Sequence, residues 1–281
     1  MKRIVLPTDF SDNSWNAIKY ALQLFKGQEC MFFLVNTYTP LIFQMDYSAL
    51  NSVNYGLVDA MKETSQKGLN KIIDKIKKEF SDSKHTFKLK PSFNTLSLEL
   101  QEMQNEKPID YIVMGTKGAT GAKEILFGSN TVHVFKNARC PVLAIPSGFS
   151  FEKPIEILFP SDYEVEFKDN HVFPIIEIAS AFHSRVNILH VSTGYDLTEE
   201  QEENKLKLER YFEKIAHLFH DYKNQEVPEA INNFQLKTRI NLLAMINNKH
   251  SFFENLFFKS TIKQIGFHLN IPFLVIPSKS A

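Results

Sequence analysis

Cysteine is nearly missing from this chain: Cys30 and Cys140 are the only two in 281 residues. Two thiols cannot build the disulfide framework of a small secreted domain, and with one just before a predicted strand and the other opening a second, both read as inert, half-buried thiols in a reducing cytoplasm. Net charge is absent too, with 32 basic and 32 acidic side chains. No excess of either sign steers the protein to nucleic acid or to an anionic membrane, and neither is expected as a partner. Long apolar runs are also lacking. Nothing approaches the roughly 18 residues of a membrane span, and Ile4, Val5 and Leu6 before Pro7 are too few for a signal-peptide core. Gly-x-Ser-x-Gly, Cys-x-x-Cys and His-Glu-x-x-His do not occur, which excludes the common nucleophile-elbow, dithiol and zinc-protease chemistries. Nine histidines invite a metal search. The close pairs His183 with His190 and His217 with His220 have no cysteine or carboxylate at ligand spacing, so no metal is expected, and His217-x-x-His220 reads as the solvated face of a helix.

What is present is a repeat. The run Ile4-Val5-Leu6-Pro7-Thr8-Asp9 recurs as Ile157-Leu158-Phe159-Pro160-Ser161-Asp162, an offset of 153. Phe33-Leu34-Val35 matches Leu189-His190-Val191 at offset 156, and from Ile109 to Pro146 an offset of 131 holds without a gap, ending at Pro277. Self-similarity of this length means two homologous domains, expected at 1–148 and 153–281, each large enough to bury a core. From second to fourth strand the first copy spans 74 positions and the second 49, so the first carries 25 extra, largely in 37–64. Leu41, Ile42, Phe43, Met45, Tyr47, Leu50 and Tyr55 make that stretch too apolar for a solvated linker. Two readings remain: packing against the second domain or another subunit, or a lid over a ligand.

Short apolar runs alternate with helical periodicity. Ile18, Ala21, Leu22 and Phe25 mark one helix face, with Ser11 or Asp12 as cap and Gly27 as the C′ residue. Glu199 to Arg210, continuing into Tyr211 and Phe212, is the charged face of a surface helix. The 25 phenylalanines are spread through both copies, which suits core filling. Each copy therefore reads as a doubly wound α/β domain with a five-stranded parallel sheet, and ligands of such sheets sit at the carboxyl ends of the strands where the order reverses.

At one such exit, after Tyr111-Ile112-Val113-Met114, the chain reads Gly115-Thr116-Lys117-Gly118, nine residues, then Gly128-Ser129. Glycines here allow positive φ and close approach of an anion, while successive N–H groups and a helix N-terminus supply donors. The spacing Gly-x2-Gly-x9-Gly-Ser is neither the Walker pattern nor the dinucleotide fingerprint. It resembles the nucleotide motif of the universal stress protein family. The opening strand with Pro7-Thr8-Asp9 and the closing Cys140-Pro141-Val142-Leu143-Ala144-Ile145-Pro146 are similar to that family's first and last strands, so the resemblance covers about 146 residues in order. It implies an adenine-nucleotide alpha hydrolase-like fold, in two tandem, pseudo-twofold related copies. It also implies binding of ATP or the related AMP or ADP, with Mg²⁺ as an accompanying ion. The residues that match are Pro7, Thr8, Asp9, Val35, Met114, Gly115, Lys117, Gly118, Gly128, Ser129, Asn130 and Thr131. Lys117 and Asn130 depart from the commoner residues: Lys117 keeps a charge without an arginine's fork, and Asn130 stands where a small or apolar residue is usual. The role implied is a cytoplasmic stress or signalling module that docks a protein partner. Alternatives are a slow ATPase or phosphotransferase, and a scaffold without nucleotide. No carboxylate near the glycines is well placed for Mg²⁺, so turnover is expected to be slow or absent.

At offset 131 the second copy places Ile246 on Gly115, Lys249 on Gly118 and Lys259 on Gly128, while Ser260 matches Ser129. All three glycines are gone, so this copy is expected to keep the fold and lose the site. Val142 to Ile145 and Phe273 to Ile276 each follow a proline and read as edge strands. Family members with a single domain cover that edge by dimerising, so the two copies are expected to pair within the chain as a pseudo-dimer, with a further homodimer left open.

Overall fold

Unbroken apolar runs require a sheet covered on both faces, and parallel strands meet that requirement. This computed structural model describes residues 1–38, 55–117, 127–192, 196–223, 225–248 and 270–278. They fall into two units, Met1–Phe151 and Glu152–Ala281. The 39–54 part of the apolar insertion, Gly118, Lys249, Lys259 and Ser260 lie outside the described residues.

The first unit runs β1 (Lys2–Pro7), α1 (Asp12–Leu24), β2 (Cys30–Thr37), α2 (Tyr55–Glu79), β3 (His85–Ser92), α3 (Leu96–Glu106), β4 (Tyr111–Gly115), α4 (Ser129–Asn137) and β5 (Val142–Ile145). Its strands are parallel in the order β3-β2-β1-β4-β5, with Ile4 opposite both Phe32 and Tyr111. Ile4, Val5 and Leu6 have no exposed surface, and burying each is worth about 1.5–3 kcal/mol. The order reverses between β1 and β4, which puts the turns that follow these two strands side by side. Helix α1 is capped by Ser11, whose side chain accepts from the Ser14 N–H, and it buries Ala17, Ile18, Ala21, Leu22 and Leu24. Gly27 is left-handed at φ 78, but the C-cap is Phe25, so Lys26 takes the C′ position and the glycine predicted for it stands one residue further on.

The second unit runs β6 (Glu156–Pro160), α5 (Asp169–Phe182), β7 (Arg185–Ser192), α6 (Glu199–Phe212), β8 (Ala216–Lys223), α7 (Val227–Lys237), β9 (Leu242–Asn247) and β10 (Phe273–Pro277). Its parallel order is β10-β9-β6-β7-β8. The offset of 131 is visible in the register: Gly115 faces Ile145, and Ile246 faces Ile276. The offset of 156 needs correction. Pro7 faces Val35 and Pro160 faces Leu189, so Val35 corresponds to Leu189, at offset 154. A slip of two residues keeps every side chain on its own face, and a hydrophobic pattern cannot detect it.

The His217 and His220 pair is also corrected: both lie on strand β8, not on a helix. The charged helix stops at Phe212, and from Ala216 exposed and shielded residues alternate nearly every second position, the period of an outer strand. In each unit β3 or β8 stands at one end of the order and shows this partial exposure, unlike the fully buried β4.

Candidate functional site

Pro7 ends β1, and the ladder continues one residue further through the Thr8 N–H, which donates to the Val35 carbonyl at 2.8 Å. The chain then turns sharply. Phe10 is left-handed at φ 65, and its N–H donates to Thr8 Oγ1 at 3.1 Å. Asp9 Oδ1 accepts from the Ser11 N–H at 3.1 Å and from Ser11 Oγ at 2.5 Å, an Asx turn that orients the exposed carboxylate while Ser11 caps α1. The Phe10 ring lies against α2, where it occupies the space a Cβ on Gly68 would need.

The second turn leaves β4. Thr116 N–H donates to the Ile145 carbonyl at 3.0 Å, and Gly128 N–H donates to the Thr116 carbonyl at 2.7 Å, bringing the start of α4 back to the strand end. Gly128 is the N-cap residue and has no side chain to cap the helix. The first-turn donors and the helix dipole therefore face outward beside the exposed Ser129 and Asn130, a setting that suits an anion.

Asn13, in the first turn of α1, ties the two turns together: its Nδ2 donates to the Lys117 carbonyl at 2.5 Å. A Cβ on Gly115 would lie 2.5 Å from the same nitrogen. The requirement for glycine here is this contact and not backbone conformation, because neither Gly115 nor Gly128 has positive φ; Gly128 stands at φ −64. That corrects the positive-φ expectation at both positions.

The other expected residues separate by burial. Pro7, Thr8, Val35, Met114, Gly115 and Thr131 are buried, Lys117 and Gly128 are half-buried, and Asp9, Ser129 and Asn130 are exposed. The Thr131 hydroxyl is within reach of the Gly115 and Thr116 carbonyls, at 3.1 and 3.2 Å, so it fastens α4 to the strand exit and does not face outward as a phosphate donor. Asn13, Asn36, Ser65 and Gly68 are additions that the sequence reading missed. Gly68, a glycine inside a long helical pattern, was the signal available, since such a residue costs about 1 kcal/mol unless something approaches closely. Cys140 takes no part: burial, with some help from Asp110, pushes its thiol up to about 12, so it stays protonated.

The second unit repeats the first turn. Tyr163 is left-handed at φ 58, its N–H donates to Ser161 Oγ, and Asp162 Oδ1 accepts from the Glu164 N–H. At the second turn, Ile246 occupies the place of Gly115 as a buried strand residue. Among the described residues no group of three or more histidine, cysteine or acidic side chains could hold a metal ion, and no helix is long and apolar enough to cross a membrane.

The capped Asp turn and the side-chain-free helix start both lie within residues 1–146, which match a family described as the universal stress protein family. The chain belongs to that family. It is 36% identical over 149 residues to one universal stress protein of Methanocaldococcus jannaschii, a match spanning 51% of this chain and 81% of the relative. A second from the same organism is 31% identical over 155 residues, spanning 51% of this chain and 94% of that one. Likeness in fold extends further. The crystal structure of a universal stress protein from Archaeoglobus fulgidus aligns over 98% of this chain and 96% of its own, with TM-score 0.68 and 17% identity.

Proposed function

We propose that residues 1–148 bind ATP or a related adenine nucleotide and act as a stress-response or signalling module, with little or no turnover, and that residues 153–281 keep the fold without the binding motif. The observation that carries this reading is the Asn13 bridge from the helix behind Asp9 to the Lys117 carbonyl, which fixes the Asp turn and the glycine turn to one another. The donor set fits such a ligand. Asp9 is held where it can accept from ribose hydroxyls. Val35, fully buried at the neighbouring strand end, backs the side on which adenine would lie. The N–H groups opening α4, with Ser129 Oγ, meet phosphate oxygens, each charge-assisted bond being worth about 1.5–3 kcal/mol. Lys117 adds a positive charge without bidentate geometry.

The bound nucleotide would supply the phosphate charge and the base that a docking partner could read. Efficient phosphoryl transfer needs a metal clamp and a group positioning the nucleophile. Among the described residues of the glycine turn, 115–117 and 127–131, none is a carboxylate for a Mg²⁺ ion, which supports binding over turnover; Glu124, between the glycines, lies outside the described residues. Mass spectrometry of the ligand released from freshly purified full-length protein tests the reading: an adenine nucleotide at near one equivalent per chain is expected. A protein that carries none, and takes up none at millimolar ATP, would leave the scaffold reading in its place.

A further inference from the structure

Beneath the Asp9 turn lies a hydrogen-bonded chain of four polar side chains, Ser65, Asn36, Thr8 and Ser14, each more than nine-tenths buried. Its donor directions are determined throughout. Ser65 Oγ, on α2, donates to Asn36 Oδ1 at 2.7 Å, and Asn36 Nδ2 donates to the Thr8 carbonyl at 2.7 Å. Ser14 Oγ donates to the Ser11 carbonyl at 2.9 Å, so it accepts from the Thr8 hydroxyl 3.0 Å away, and Thr8 Oγ1 in turn accepts from the Phe10 N–H. Ser11, at the end of the chain, gives both its N–H and its hydroxyl to the Asp9 carboxylate.

Building the fold does not require this chain. In the second unit the same turn forms with His190 Nδ1 against the Ser161 carbonyl, its ring stacked on Tyr163 at 4.8 Å. Helix α6 reaches that turn differently, through Asn204 Nδ2 donating to the Tyr163 carbonyl. The Ser65 and Asn36 arrangement is therefore found in the unit that keeps the glycine motif and is replaced in the unit that has lost it.

We infer that Ser65, which belongs to no nucleotide motif, is a positioning residue that sets ribose recognition by orienting Asn36 and, through it, the turn presenting Asp9. This inference rests on the nucleotide reading. The physical reason is the two-sided amide of Asn36. With the Ser65 donor in place, Oδ1 faces α2 and Nδ2 faces the Thr8 carbonyl. Without it Oδ1 is a buried acceptor lacking a partner, and a flipped amide would set its oxygen against the Thr8 carbonyl. The turn then loses its fixed orientation, and with it the alignment of Asp9.

Titration calorimetry on the full chain, using ATP and 2′-deoxyadenosine triphosphate with wild type, Ser65→Ala and Ser65→Thr, tests the inference. Wild type should prefer ATP. Ser65→Ala should weaken ATP binding by about tenfold, leave the deoxynucleotide little changed and so erase most of the ribose preference; Ser65→Thr, which restores a hydroxyl, should recover it. If Ser65→Ala unfolds at the assay temperature, Ser65→Cys, a weak donor of similar size, takes its place and should lie between. Wild-type affinity and ribose preference in the alanine variant would overturn the inference, as would an equal loss for both nucleotides that threonine does not rescue. Wild type binding neither nucleotide would instead remove the nucleotide reading itself.

Discussion

Asn13 and Gly115 meet so closely that a single methyl group on the glycine would sit 2.5 Å from the Asn13 amide nitrogen. The same amide holds the Lys117 carbonyl, so the contact is the seam between the Asp9 turn and the glycine turn. Asn13 Oδ1 is buried and has no hydrogen-bond partner among the described residues. Gly115→Ala should therefore displace Asn13, lower stability by about 1–3 kcal/mol and weaken ATP binding. Adding Asn13→Gly should recover most of the lost melting temperature, because it removes the group the methyl strikes, but not the affinity. Thermal melts of wild type and the two variants decide this; a fully stable single variant would contradict the close contact.

Two hydroxyls at the start of α4 are expected to behave oppositely. Thr131→Val loses a buried hydrogen bond to the strand exit and should cost about 1 kcal/mol of stability with a secondary loss of affinity. Ser129→Ala, at an exposed position, should leave melting unchanged and weaken ATP directly. Paired melting and binding curves would show the two effects separating.

Much of this was legible in the sequence, and the boundary is informative. Strand β4 and the start of α4 were readable because a buried parallel strand followed by spaced glycines has few other interpretations. The correspondence of Val35 was misplaced by two because interchangeable apolar residues keep their faces after such a slip. The outer strand holding His217 and His220 carries no local mark of its start, because the charged helical run before it ends without a glycine or proline. Asn13, Asn36 and Ser65 were invisible for a different reason: each acts through partners between 28 and 104 residues away, and local spacing cannot reveal such a bond.

Glu99 offers a stability test within the first unit. Burial pushes its carboxyl up, but hydrogen bonds from Lys90 and Ser92 and the Lys90 charge outweigh this and hold it below the ordinary value. Lys90 Nζ lies 2.6 Å from Oε1. A carboxylate lowered in the folded state contributes stability above its unfolded pKa of about 4.3, and that contribution is lost as pH falls through the folded value. Lys90→Met should accordingly cost about 1–3 kcal/mol at pH 7, with the difference from wild type closing below about pH 4. Urea unfolding at several pH values reads this out; a difference independent of pH would contradict it.

His220 makes the converse case in the second unit. Burial, reinforced by Arg185 and opposed by Asp221, pushes its imidazole below the usual histidine value. Its Nε2 donates to Asn187 Oδ1 at 3.1 Å. The folded state prefers the neutral ring, so its contribution is complete above the unfolded pKa of about 6.5 and is lost as pH falls toward the folded value. Protection factors of the β7 and β8 amides, which divide out the intrinsic pH dependence of exchange, should fall between about pH 6.5 and 5, and His220→Gln, which keeps a donor without the titration, should flatten that dependence. Protection that is equally pH-sensitive in the variant would show that another group is responsible.

The central claim, one adenine nucleotide per chain held by the first unit, is tested most directly by titrating the full chain with ATP in a calorimeter. A stoichiometry of one is expected, abolished by Asp9→Ala or by Gly118→Lys, the latter copying Lys249 of the second unit, with melting of the nucleotide-free protein nearly unchanged. Two equivalent sites, or one site that survives both substitutions, would contradict it.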